Sequence, residues 1–288
     1  QVVARLSWGR RIAYALISLN ELAKGRAMIG LGGGGAMALA TTMRPKGESL
    51  DFKGMRIVRG VREAAEIIYR MSTGEFHWGY EGEVFCVRQP FKMGYMKFPR
   101  PRIITCSMGP QMLRMGARIA DGVQVGDVTA DRVPEVMQYI QAGLAKRAYP
   151  ADDFRVGNFW AWHIKKDRAA SMHEARVGLF ARAEVIPPHI GLDHLLNKEE
   201  AQLVRDKYRN FLVAGVTKTG NIKDVPPDLV QRLIDAVSSS GDFNDIDREV
   251  ERYRAMAKAG LTDLALRVFE EPFEALRVIK ERVIPHFR

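Results

Sequence analysis

The sequence predicts an α/β fold in which parallel strands alternate with helices. Three observations support this prediction. Short apolar runs alternate with segments whose apolar residues have helical spacing, residues 103–125 form one complete strand–helix–strand unit, and a glycine row ends the first apolar run. This alternation leaves two architectures open, the doubly wound open sheet and the (β/α)8 barrel.

The first half of the chain predicts two helices, a strand and a hairpin. Helical periodicity covers residues 8–22, and a strand that ends in glycines follows at once. A second helix is expected over residues 55–72, with its buried side formed by Val58, Val61, Ala65 and Ile68. Residues 76–87 alternate and turn near Gly82, which indicates a β-hairpin.

The second half predicts four more strands, separated by helices. Residues 103–106 and 122–125 are the strands of the strand–helix–strand unit, and their helix covers residues 110–120. The later elements are a helix over 133–147, a strand over 159–164, a helical region to Gly260, a strand over 264–268 and a helix to Pro285. With the glycine-bearing strand, five parallel strands are expected.

The glycine row, residues 30–35, gives the backbone conformational freedom at an entropic cost, which favours close approach to a ligand. Gly30, Gly32 and Gly35 satisfy the dinucleotide-binding pattern G-x-G-x-x-G. The context differs from that of a Rossmann domain, because a helix precedes this strand and Pro45 interrupts the segment where a long helix should follow. A tight glycine turn without a ligand is the other interpretation.

Composition restricts the class of protein. Lys and Arg number 44 against 34 Asp and Glu, and the net charge of +10 favours anionic partners. The basic residues are scattered, so nucleic-acid binding is not expected. The two cysteines, Cys86 and Cys106, indicate neither a disulfide framework nor a zinc site. We expect a cytoplasmic protein without a membrane span.

Four segments, in the right order and at the right spacing, resemble the luciferase-like monooxygenase superfamily, which includes flavin-dependent monooxygenases and reductases that use the deazaflavin coenzyme F420. The likeness covers almost the whole chain. The segments are residues 19–32, residues 62–63 with 73–75 and 80–85, residues 108–113 with 120–123, and residues 283–287.

The resemblance implies a (β/α)8 TIM barrel of the luciferase-like type. Residues 1–288 would form a single domain, with a hairpin insertion over 76–101 and a helical insertion over 178–245. The first three strands of the family have no counterpart in the sequence. We therefore expect that the N-terminal part of the barrel is not represented in this chain.

The resemblance also implies a cofactor site. Gly32, Gly33 and Gly34 would let the chain pass close to a flavin-like ring. The phosphate would be held by the segment after the next strand, where Pro110 stands at the position that starts a helix and leaves N–H groups exposed. That segment consists of Ser107, Met108, Gly109, Pro110 and Gln111. The alternative is an ordinary turn capped by Ser107.

Two further residues are candidates for chemistry. His163 is expected at the carboxyl end of a strand, where barrel active sites lie, and its candidate role is catalytic or substrate-binding. Arg267 would bind an anionic group or pair with Glu270 or Glu271.

The remaining polar residues receive structural interpretations. Asp121 precedes its strand, and we expect it to stabilise the fold, while Asp127 is expected to cap a turn. The histidines show no metal-ligand spacing, so no metal site is predicted.

The leading hypothesis is hydride transfer between coenzyme F420 and a small organic substrate. The basic composition and the helical region over 198–236 favour F420, whose phosphate and oligoglutamate chain are anionic. The alternatives are an FMN-dependent luciferase-like monooxygenase, an NAD(P)-binding Rossmann protein, and a cofactor-free barrel homologue that acts as a subunit or binding protein. A homodimer or a higher homo-oligomer is expected from the resemblance.

Overall fold

A computed structural model describes residues 2–33, 56–148, 153–183 and 194–287. The chain divides into two compact units. The first unit comprises Gln1–Ser107, Gln111–Gln124 and Tyr139–Phe154, and the second comprises Met108–Pro110, Val125–Gln138 and Arg155–Arg288.

The elements of the first half of the chain follow the predicted alternation. They are α1 (Val2–Leu22), β1 (Met28–Gly32), α2 (Ile57–Met71), β2 (Tyr80–Glu81), β3 (Cys86–Val87), β4 (Arg102–Cys106), α3 (Pro110–Ile119), β5 (Gly122–Gly126) and α4 (Val133–Leu144).

Parallel strands form the centre of the first unit. β1 pairs with β4 from Met28 opposite Arg102 to Gly32 opposite Cys106. On its other edge β4 pairs with β5, beginning with Ile104 opposite Gly122. The apolar core of this unit joins α1, α2 and the sheet, and its fully buried members include Ala13, Ile17, Ile67, Ile68, Met71 and Ile103.

The second unit is richer in helices. After β6 (Arg155–Trp162) it contains α5 (Arg168–Gly178), α6 (Phe180–Ala183), α7 (Lys198–Asp206), α8 (Tyr208–Val216), α9 (Pro227–Val237), β7 (Ser238–Ser239), α10 (Ile246–Lys258), β8 (Asp263–Val268) and α11 (Pro272–Val278). A 3-10 turn covers Phe243–Asp245, and the chain closes with a π-turn (Ile279–Val283) and a 3-10 turn (Ile284–Phe287).

β6 is the central strand of this unit. It pairs in parallel with β8 from Gly157 opposite Asp263 to Trp162 opposite Val268, and with β7 at Ala161 and Trp162. Helices α5 to α9 bury their own apolar cluster, which includes Leu179, Val204, Phe211, Leu229, Leu233 and Val237. The spacing of Leu229, Leu233 and Val237 at every fourth position places all three on one face of α9.

The parallel α/β class and the hairpin at Gly82 are confirmed. β2 and β3 pair antiparallel, with Tyr80 opposite Val87. The sequence missed β7, because Ser238 and Ser239 are polar and the strand has only two residues. It also misplaced β6, which begins at Arg155 and ends at Trp162, so His163 follows the strand.

The predicted buried face of α2 differs from the observed one. Val58 is only half-buried, and the buried residues also include Ile67, Met71 and the charged Glu63. The Glu63 carboxylate accepts hydrogen bonds from the backbone N–H groups of Glu83, Val84 and Phe85 at 2.8–2.9 Å, and these bonds fix the hairpin turn against the helix. Burial raises the pKa of Glu63, but the three N–H donors and Arg62 outweigh it, so its pKa lies below the ordinary value.

Asp121 has the structural role that the sequence predicted. Its carboxylate binds the Arg100 guanidinium through two hydrogen bonds of 2.6 and 2.7 Å, and it also accepts from the backbone N–H of Ile103. These contacts join the start of β5 to the start of β4. Burial raises the pKa of Asp121, but the Arg100 guanidinium and the Ile103 N–H outweigh it and lower the pKa below its ordinary value. The carboxylate is therefore ionised at neutral pH.

The division of the chain into one barrel domain with two insertions stays a prediction. Among the residues that the structure describes, no helix is both long enough and apolar enough to cross a membrane.

Candidate active site

Ser107, which belongs to the first unit, directly follows β4 and is buried. Its backbone N–H donates to the Gln124 carbonyl at 2.9 Å, which continues the pairing of β4 with β5. Its hydroxyl donates to the Met112 carbonyl at 3.5 Å, which is longer than a usual O–H···O hydrogen bond. The hydroxyl therefore does not cap a first-turn N–H through this contact, and it retains hydrogen-bonding capacity for a ligand.

Met108, Gly109 and Pro110 belong to the second unit. The Met108 sulfur accepts a hydrogen bond from the Gly126 N–H at 3.1 Å. A methyl group in place of the Gly109 hydrogen would meet no atom of the described chain within 4 Å, so the backbone faces open space. Pro110 is the first residue of α3, and the first turn of a helix has N–H groups without helical acceptors. An open backbone beside such donors fits a phosphate group.

The glycines at the end of β1 allow close packing between elements of the first unit. A Cβ on Gly32 would lie 3.3 Å from Cys106 Cβ, and one on Gly33 would lie 2.3 Å from Ile57 Cγ2. A side chain at Gly33 would therefore overlap with the first residue of α2. Contact of Gly32 and Gly33 with a cofactor stays a prediction, and Gly34 lies outside the described residues.

His163 is buried in the second unit, where a carboxylate binds its ring. Its Nδ1 lies 2.7 Å from Oε1 of Glu174, on α5. The ring of Phe269, the residue after β8, stacks on the imidazole at 4.8 Å with an interplanar angle of 18°. The backbone N–H of His163 donates to the Ser239 carbonyl at 2.7 Å. A catalytic role for His163 stays a prediction.

Glu174 has two further partners besides His163. Its Oε2 lies 2.9 Å from Lys165 Nζ and accepts a hydrogen bond from the Glu270 N–H at 3.1 Å. Burial raises the pKa of Glu174, but the hydrogen bonds and charges of His163 and Lys165 outweigh it and lower the pKa below its ordinary value. An ionised carboxylate only accepts hydrogen bonds, so the His163 Nδ1 carries the proton.

Arg267 forms an ion pair, but its partner is Asp127 and not Glu270 or Glu271. Arg267 Nη2 lies 2.9 and 3.1 Å from the two oxygens of Asp127. Asp127 directly follows β5 in a left-handed conformation with φ of 54°, and its N–H donates to the Phe159 carbonyl. The side chain of Arg267 is 37% exposed, so the guanidinium is partly accessible to a ligand.

Three polar residues of the second unit lie at the carboxyl ends of parallel strands. Asp127 follows β5, His163 follows β6, and Arg267 is the penultimate residue of β8. This is the end of a parallel sheet at which α/β enzymes bind their ligands. The described ranges contain no group of three or more histidine, cysteine or acidic residues arranged to hold a metal ion.

Sequence reasoning missed Glu174 and Lys165. Glu174 lies eleven positions after His163 in the sequence, and no motif links the two residues. One signal was readable, because Ser171, Glu174 and Ala175 share the buried face of α5 at positions i, i+3 and i+4. An acidic residue on such a face indicates a buried partner.

Comparison with known families gives one match along most of the chain. The sequence model of the family described as luciferase-like monooxygenase matches residues 10–263. That range includes the glycines 32–34, the segment 107–111 and His163.

Individual proteins resemble the chain over nearly its full length. The 5,10-methylenetetrahydromethanopterin reductase of Archaeoglobus fulgidus is 26% identical over 278 residues, which cover 96% of this chain and 78% of that protein. The coenzyme F420-dependent tetrahydromethanopterin reductase of Methanopyrus kandleri has a similar structure, with a TM-score of 0.72, 21% identity, and coverage of 97% of this chain and 80% of that one.

A third similar protein is an F420-dependent secondary alcohol dehydrogenase, solved in complex with an F420–acetone adduct. It has a TM-score of 0.70 and 14% identity, and the match covers 97% of this chain and 75% of that one. At these identities the structural likenesses show the fold, which is that of the luciferase-like TIM barrels.

Proposed function

The chain belongs to the luciferase-like monooxygenase family, and on that basis we propose that it is an oxidoreductase that uses coenzyme F420 to exchange hydride with a small organic substrate. The observation that carries the proposal is the open backbone at Gly109, next to the start of α3, because it fits the phosphate of such a coenzyme. Support for F420 over FMN comes from the names of two structural relatives and from the net charge of +10.

Each candidate residue has a distinct task in this proposal. The Ser107 hydroxyl and the N–H groups around Gly109 would bind the phosphate, with Met108, Pro110 and Gln111 shaping that loop. Gly32 and Gly33 would leave room for the ring. When bound, the coenzyme supplies the hydride chemistry, so the protein needs no covalent nucleophile.

The polar groups of the second unit would orient the substrate. Glu174 fixes the His163 ring with a proton on Nδ1, which makes Nε2 the acceptor in the neutral imidazole. The ring is buried and Phe269 stacks on it, so contact between His163 and a substrate would require movement of the side chains that cover the ring. Arg267, held by Asp127, presents a positive charge to an anionic substrate group.

FMN-dependent monooxygenation is the second candidate function, and the description of the matched family favours it. The phosphate of FMN would bind at the same loop. The two cofactors differ in their ring and in the part that follows the phosphate.

The test is a pair of equilibrium titrations of the purified protein, one with coenzyme F420 and one with FMN, followed by the fluorescence of each compound. Riboflavin, which lacks the phosphate, is the matched control for FMN. We expect saturable F420 binding at least about tenfold tighter than FMN binding, which corresponds to about 1.4 kcal/mol.

The other outcomes separate the alternatives. Tighter binding of FMN than of F420 would favour the monooxygenase. Saturable binding of neither compound would refute the proposal and favour a cofactor-free barrel homologue. The proposal also includes a homodimer or larger homo-oligomer, which light scattering after size-exclusion chromatography measures.

A further inference from the structure

The first unit contains a groove with a strongly unbalanced charge. The groove has a volume of about 850 Å³ and lies along α2, α3 and the end of α4. Among the described residues that line it, Glu83 is the one with a carboxylate. Its cationic side chains are Arg56, Arg59, Arg62, Arg114, Arg118 and Lys146.

In the part of the chain that the structure describes, acidic partners neutralise one side of the groove. Arg56 and Arg59 both pair with Glu83, and Arg62 lies 3.4 Å from Glu66 within α2. On the opposite side, no carboxylate of the described chain lies within ion-pair distance of Arg114, Arg118 or Lys146.

Two of these three cationic side chains are regularly spaced on one helix. Arg114 and Arg118 are one helical turn apart on α3, so their side chains point in the same direction. The Arg114 guanidinium lies 4.7 Å from the centre of the Tyr139 ring, and this cation–π contact holds the guanidinium in place. Guanidinium groups that are fixed in this way bind carboxylates through paired hydrogen bonds.

The groove includes the last residue of the candidate phosphate-binding segment, residues 107–111. Gln111 lines the groove, and it directly follows Pro110 in the chain. The helix α3 begins at Pro110, so Arg114 and Arg118 follow the loop about one and two turns along the same helix.

We propose that this groove binds the chain of γ-linked glutamates that follows the phosphate of coenzyme F420. The inference rests on the proposed function, because it assigns a site to one part of that coenzyme. A flexible chain with a carboxylate on every unit complements a row of arginines. FMN ends at its phosphate and would leave the groove without a ligand.

The test compares two forms of the coenzyme, one with a long glutamate chain and one with no glutamate. Each form is titrated into the wild-type protein, into the charge-reversal variant R114E/R118E, and into the control variant R277E/K280E. The control changes the net charge equally at exposed positions outside the groove. Circular dichroism and thermal unfolding verify that each variant is folded, and R114Q/R118Q replaces the charge-reversal variant if it is not.

For the wild-type protein we expect the long-chain form to bind about tenfold tighter than the form without glutamate, with a difference that shrinks as salt is raised. In R114E/R118E this difference should disappear while the affinity for the form without glutamate stays the same. The control should keep the difference. A free poly-γ-glutamate peptide should compete with the long-chain form only.

Two results would overturn the inference and leave the proposed function intact. One is equal binding of the two forms by the wild-type protein, and the other is an unchanged difference in R114E/R118E. Competition by a short DNA duplex as effective as that by the peptide would also overturn it, in favour of a nucleic-acid site. Failure of both coenzyme forms to bind would refute the proposed function itself.

Discussion

The Glu174 carboxylate accepts a hydrogen bond from His163 Nδ1 at 2.7 Å, inside the second unit. The same carboxylate binds Lys165 and the backbone N–H of Glu270, so it connects the segments that follow β6 and β8. One acidic side chain thus fixes the ring orientation of the candidate catalytic histidine.

Replacing Glu174 with glutamine should destabilise the protein by about 2–4 kcal/mol, because the largely buried Lys165 ammonium loses its nearer charged partner and keeps the exposed Glu271 at 3.6 Å. Urea unfolding at neutral pH measures the effect. The matched control is E274Q, since Glu274 makes only a distant, exposed pair with Arg277 at 3.8 Å and should change stability by less than about 0.5 kcal/mol. Equal stabilities of E174Q and E274Q would contradict this role of Glu174.

The same variant should alter the response to acid. Because the pKa of Glu174 is lower in the folded chain than in the unfolded chain, its contribution to stability is complete above the ordinary value of 4.5. That contribution is lost as the pH falls through the lower pKa of the folded state. The stability difference between wild type and E174Q should therefore narrow below about pH 4.5. A difference that is constant or widens towards lower pH would contradict the direction of the pKa shift.

Glu63 should prove to be the residue that holds the hairpin. The E63A substitution leaves three N–H groups without their acceptor and should cost about 2–4 kcal/mol in the free energy of unfolding, while E63Q, which keeps one acceptor oxygen, should cost less. Hydrogen exchange at residues 83–85 should accelerate in E63A. The exposed Glu75 provides the control E75A, and comparable losses in E63A and E75A would refute the assignment.

Asp127 and Arg267 should be energetically coupled. A double-mutant cycle with D127N and R267M should give a coupling energy of about 1 kcal/mol, because both side chains are partly buried and the contact is close. Asparagine keeps the left-handed backbone of position 127 accessible, so the cycle reports the ion pair. Additive effects of the two substitutions would show that the pair contributes nothing to stability.

The sequence predicted features that depend on neighbouring residues. The location of α2, the hairpin at Gly82 and the strand–helix–strand unit follow from spacing within a few positions. It failed where the partner is distant along the chain. Arg267 and Asp127 are 140 positions apart, and local charge suggested Glu270 or Glu271 instead.

Buried polar groups were the second source of error. Glu63 looks solvent-facing by pattern, and Glu174 lies among the buried positions of α5, yet each carboxylate satisfies several donors inside its unit. The two-residue strand β7 was missed for a related reason, since Ser238 and Ser239 have no apolar alternation to read. Packing, rather than local propensity, decides these positions.

The dissociation constant of coenzyme F420 for wild type, G109A and G109D is the most direct test of the central claim. Open space surrounds Gly109, so both variants should fold as the wild type does, and G109A should bind almost normally. In G109D a carboxylate would stand beside the coenzyme phosphate, and the affinity should fall by at least about tenfold through charge repulsion. Unchanged affinity in a folded G109D variant would contradict the assignment of this loop to the cofactor.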